Sequence, residues 1–151
     1  MKQTRLRTLR GAIELSALGQ GRRQLIVDDG LINVGYKILS WTIWPSTNFN
    51  ADRWAAILST KPEVFPVNMS ATNSNQIGWN YTFDLNDASP PVSILDPDHI
   101  AVRDLYITMD VGGSGPNEEM NYLIVMQQYD LTDDEAIIQI SKEENQASSP
   151  A

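Results

Sequence analysis

The chain has 151 residues, 42 % of them hydrophobic, a formal net charge of −8 and no cysteine. That is the size of one ordinary domain with enough apolar content to bury a core, and the missing cysteine removes disulfides, Cys-ligated zinc and thiol nucleophiles together. No apolar run approaches the roughly 20 residues that span a bilayer, and polar residues interrupt Leu6, Leu9 and Ile13 where a secretory signal needs an unbroken apolar core.

Charge is unevenly placed. Residues 1–23 carry six bases (Lys2, Arg5, Arg7, Arg10, Arg22, Arg23) against the single acid Glu14, a net +5, and the remainder carries five bases against eighteen acids, a net −13. A cationic segment ahead of an acidic body is built to neutralise something anionic: a nucleic acid, or the acidic surface of a neighbouring protein. Residues 1–23 are therefore expected as an N-terminal arm, 24–144 as a β-rich domain and 145–151 as a flexible tail. Along Lys2 to Arg10, Arg5 and Arg7 alternate with Leu6 and Thr8, so an extended arm has one cationic side and one partly apolar side.

After the arm, Gln24–Val27 and Leu31–Val34 flank Asp28-Asp29-Gly30, which predicts a hairpin. Its second strand runs on through Tyr36 to Trp44, with a bulge or bend at Gly35, and Pro45 ends the ladder by removing a backbone donor. Asn50 is placed to cap a short helix over Ala51–Leu58, with Trp54, Ile57 and Leu58 on one face. Asn68 to Asn75 is polar loop. From Ile77 to Leu85 every odd position, Trp79, Tyr81 and Phe83 among them, is large and apolar and every even one small or polar, which predicts a strand with the odd face buried.

Asn86 to Asp98 holds three of the eight prolines and reads as loop. Leu105, Ile107, Met109 and Val111 repeat the strand pattern, while Ile100 and Val102 are out of phase, so a bulge belongs near Arg103-Asp104. Gly112 to Asn117, rich in glycine, is expected to be the most flexible stretch. Met120 to Tyr129 is apolar on both faces around Leu123, Ile124 and Val125 and is expected to be a central strand. Thr132-Asp-Asp-Glu135 has the spacing of a capping box, predicting a helix from Asp133 to about Glu143, with a strand through Ile137–Ile140 as the alternative. The fold class that results is mainly β: an antiparallel β-sandwich or jelly-roll-like domain with one or two short helices and an extended N-terminal arm.

Catalytic chemistry is poorly represented. The one histidine, His99, sits in Asp96-Pro97-Asp98-His99, where a Pro turn uses Asp for local backbone hydrogen bonds more readily than for a metal. No serine has a nucleophile-elbow context, and the acid pairs Asp28-Asp29, Glu118-Glu119, Asp133-Asp134 and Glu143-Glu144 sit at turns or helix starts where solvated acids belong. The Gly112 stretch lacks the Lys-Ser/Thr that follows a phosphate loop. No catalytic residue, metal site or cofactor is assigned. Most aromatic residues are explained as core, and Trp44, before Pro45, is the best candidate for an exposed platform that a sugar ring could stack on.

An arginine-bearing arm with Leu6, Leu9 and Ile13, a cysteine-free antiparallel body with Asn/Ser/Gly/Pro loops, and a polar tail together resemble the small structural subunits of bacteriophage particles. In such subunits a β-sandwich or jelly roll tiles or decorates a shell, and the terminal arm reaches into adjacent copies. The likeness spans Gln24–Pro45 and Ile77–Tyr129 and is one of overall style, without a specific motif. It implies a non-enzymatic capsid, penton or capsid-associated protein located in the virion, with no small-molecule substrate and no membrane. The partners are then further copies of the chain and other capsid proteins, engaged through Lys2, Arg5, Leu6, Arg7, Leu9 and Arg10, with nucleic acid as a further contact for the arm. The alternative is a carbohydrate- or receptor-binding β-sandwich module such as a phage spike or fibre domain.

Overall fold

Two strands that each bury an apolar residue at every second position form the centre of the structure, a computed structural model that describes residues 1–27, 33–46, 53–82, 90–112 and 118–148, with side chains to 142. Below, β1 is Lys2–Glu14, β2 Gln20–Leu25, β3 Val34–Pro45, β4 Arg53–Ser59, β5 Gln76–Tyr81, β6 Val92–Leu95, β7 Leu105–Gly112, β8 Glu119–Asp130 and α1 Asp133–Ser148. In β7, Leu105, Ile107, Met109 and Val111 are buried, and β8 buries Met120, Tyr122, Ile124 and Met126 at every second position. A strand sends alternate side chains to one face, so each contributes an apolar stripe. The two strands lie in different sheets and their stripes meet in one core.

All named strand pairs are antiparallel. One sheet has the order β1-β8-β3 and the other β2-β7-β4-β5-β6. β8 is central, as its two-faced apolar sequence predicts. The sheets face each other: Ile13, Tyr36, Trp41 and Ile43 from the first pack with Leu25, Trp54, Leu58 and Ile77 from the second. β6 closes the side by β3, where Trp41 Nε1 donates to the Ile94 carbonyl at 3.3 Å and Ser93 Oγ donates to the Trp41 carbonyl at 2.7 Å. Pairings therefore nest along the chain, β1 with β8, β2 with β7 and β4 with β5 by ladders, and β3 against β6 by these two bonds.

The capping box is formed in full. Thr132 N donates to Glu135 Oε1 at 3.1 Å, and Glu135 N donates to Thr132 Oγ1 at 3.2 Å. Ala136 and Ile140 of α1 then pack with Ile100, Val102, Leu131 and Tyr129 in a second, smaller cluster. The helix runs to Ser148, so it takes in the first residues of the expected tail.

Several expectations are corrected. Residues 53–59 are strand, not helix: Ala56, Ile57 and Leu58 are fully buried between β7 and β5, and a short apolar run buried on both faces has no period to distinguish it from a helix. The proposed cap at Asn50 lies outside the described residues. β2 and β3 do not form a hairpin, because β2 pairs with β7 and β3 with β8, in different sheets. The bend expected at Gly35 falls instead between Ile38 and Ser40; Gly35 is required because a Cβ there would lie 2.6 Å from Ile100 Cγ2. The loop read over residues 86–98 contains β6.

The strand expected over 77–85 is β5; Ile77 is buried in the core as expected, but from Gly78 onward, after a register shift against β4, the face is reversed. Asn80 and Gly78, opposite Ala56 and Leu58, point to the core, and Trp79 and Tyr81 lie on the outer face and are half-buried. Asn80 is 2 % exposed and its Oδ1 accepts from Trp54 Nε1 at 2.9 Å, so the buried amide is satisfied. Phe83 and Leu85 lie outside the described residues.

Candidate functional site

The basic N-terminal segment, expected as an arm apart from the body, is built into the sheets as two edge strands. β1 pairs with β8 from Lys2 to Glu14, no other described strand pairs with it, and β2 is the edge of the second sheet. The two edges adjoin. Arg23 Nη1 donates to the Ala12 carbonyl at 3.2 Å, and a Cβ on Gly21 would lie 2.8 Å from Ile13 Cγ2. All six bases of residues 1–23 therefore belong to the two strands that border one side of the molecule.

Alternation along β1 separates the six residues named from the sequence. Lys2, Arg5, Leu6 and Arg10 are exposed, Leu6 at 61 %. Arg7 and Leu9 turn inward and are half-buried: Leu9 packs on the core, and Arg7 Nη1 donates to Tyr36 Oη at 3.1 Å and to the Val27 carbonyl at 3.4 Å. Arg7 is thus spent on the fold. Arg5 Nε donates to Gln128 Oε1 at 3.0 Å, and Arg22 lies over the Phe65 ring, 5.1 Å from its centroid, with Nη2 donating to the Glu63 carbonyl. Among the described residues none of the six bases has a carboxylate partner. Arg5, Arg7, Arg22 and Arg23 are held in place by neutral groups, and no described carboxylate compensates any of the six charges, which is the arrangement of a surface that attracts anions.

Behind this edge, on the outer face of the three-stranded sheet, lies an open groove of about 480 Å³ bordered by Arg10, Ala12, Trp44, Asn121 and Leu123. Register explains it. Ala12, Asn121 and Trp44 are Cα partners across β1, β8 and β3, and Arg10, Leu123 and Thr42 form the next row. Trp44 is 42 % exposed, as its position before Pro45 predicts, whereas Trp41 is 1 % and Trp54 9 % exposed. Leu123 was read from the sequence as one of the apolar residues on both faces of this strand, whereas Asn121 carried no signal; that the two stand beside Trp44 follows only from register.

Asp96–His99 forms a turn in which Asp98 N donates to Asp96 Oδ1 at 3.0 Å, the local use expected of it. Among the described residues no group of three or more His, Asp or Glu side chains is placed to hold a metal. No described helix is long and apolar enough to cross a membrane. Among the described residues, Glu135 has a perturbed affinity for protons: it is held below its ordinary range, first by the Thr132 backbone N–H and then by the Met1 ammonium, 3.1 Å from Oε2. Compared with known protein families, curated proteins and solved structures, the chain matches none.

Proposed function

We propose that the chain is a structural subunit of a viral particle, a capsid or capsid-associated protein of the bacteriophage kind, working by self-association and contact with other shell proteins. The observation that carries this reading is the concentration of uncompensated basic residues on two adjoining edge strands of an otherwise acidic body. Such a body repels its own copies except where the basic side meets an acidic surface, so contacts are weak singly and strengthen when many copies engage. The nested pairing of β1 with β8, β2 with β7, β3 against β6 and β4 with β5 supports a jelly-roll winding, an architecture used in viral shells and also in lectins. Fold alone therefore does not select the function. Arm exchange takes a specific form in this reading: β1, an edge strand, docks or pairs along a neighbour through its free edge.

Light scattering at two salt concentrations tests it. Charge contacts are screened over about 8–10 Å at physiological ionic strength, so the protein should form larger species at low salt than at high salt. Arg5→Glu with Arg23→Glu should abolish them while lowering the melting temperature only modestly, since both side chains are exposed and each gives up one surface hydrogen bond. The reading fails if the double variant forms the same species at the same protein concentration.

A further inference from the structure

We propose that the groove beside Trp44 is a carbohydrate-binding site that takes a neutral pyranose ring, independently of whether the chain assembles into a shell. Three features of the groove point to that ligand. First, Trp44 is 42 % exposed and shares the groove with the short Ala12, the polar Arg10 and Asn121, and the aliphatic Leu123. The π-face of an indole carries partial negative charge, which attracts the polarised C–H groups on one side of a sugar ring. Second, the side chains of Arg10 and Asn121, which border the same groove, make no hydrogen bond with any described residue. Between them they offer guanidinium and amide donors and one carbonyl acceptor, the complement of vicinal hydroxyls.

Third, the charges at the two ends of the face oppose each other. Arg10 stands at one end, and alternation places Glu14 and Glu119, Cα partners of each other, on the same outer face one row beyond Ala12 and Asn121. A polyol can accept from Arg10 and donate toward Glu119, whereas an anionic ligand that satisfied Arg10 would meet two carboxylates. The volume, about 480 Å³, is within the range of about 300–1,000 Å³ usual for small-ligand sites. An open groove of this kind holds one or two rings weakly, and repeated copies would raise the avidity.

The test is a titration of the ¹⁵N-labelled full chain with neutral malto-, cello- and galacto-oligosaccharides, reading the Trp44 indole N–H, which the Trp44→Phe variant identifies. We expect saturable shifts at Trp44 with at least one of the three, with millimolar or tighter affinity. Trp44→Ala should weaken binding by about ten-fold or more, and Asn121→Ala by several-fold, with an unchanged circular-dichroism spectrum. Asn121→Ala serves alone if Trp44→Ala does not fold. Absence of any shift at about 20 mM sugar, equal binding by Trp44→Ala, or binding confined to acidic glycans such as hyaluronate fragments would each overturn the proposal. Failure of self-association in light scattering leaves this result unaffected, because Trp44 and Asn121 lie outside the basic edge tested there.

Discussion

Asn80 shows how one side chain can invert the reading of a strand. Its neighbours Trp79 and Tyr81 are large and aromatic, so alternation assigns them to the core, yet the amide is the buried residue because it completes the hydrogen bonding of Trp54. Polarity in the sequence cannot reveal a partner 26 positions away. Asn80→Ala leaves the Trp54 N–H buried without an acceptor and opens a void, and should cost about 1–3 kcal/mol in chemical denaturation. Replacement of Thr42, exposed on the outer sheet face, should cost under about 0.5 kcal/mol in the same measurement. Glu135 is the second residue with a measurable signature. Its folded-state pKa is lowered, so the stabilisation it gives is complete above the ordinary carboxylate range and is lost as pH falls through the lowered value. Thermal melts of Glu135→Gln should lose stability at neutral pH but converge on the wild type in acid.

Among the elements, β7, β8 and α1 were legible because each carries a local signal: strict alternation in β7, a run of apolar residues on both faces in β8, and the Thr132–Glu135 capping box in α1. β4 was not, since it is buried on both faces, and the true partners of β2 and β3 were hidden because long-range pairing leaves no mark on the turn that precedes it. The basic segment was found by its charge and misjudged in its form. As β1 it covers one whole edge of β8 and brings Leu9 to the core, so it is more than an appendage. Deleting residues 1–10 should therefore lower the melting temperature markedly, by uncovering the β8 edge and removing the Leu9 contact. An unchanged melting temperature after that deletion would mean that β1 is not held in the sheet. The exposed aromatic of the groove was likewise visible at Trp44, whereas its companions Asn121 and Leu123 emerge only from the register of β8 between β1 and β3.

At the scale of the molecule, charge and topology reinforce each other. A net +5 over residues 1–23 would be diffuse on a free arm; paired into two adjoining edge strands it is concentrated along one border of a body near −13. Edge strands are where proteins add further strands, and charge there ordinarily prevents it. In the proposed reading, arginines that repel each other but attract an acidic neighbour would leave that edge open to one kind of partner. Hydrogen exchange, followed by mass spectrometry on dilute chain at high salt and on concentrated chain at low salt, reads the location of the contact directly. Association through the basic side predicts new protection of backbone amides in β1 and β2, with little change in β5 and β6 on the far side. Protection confined to β5, β6 or α1, or associated species whose β1 and β2 amides exchange as fast as in the dilute chain, would contradict it.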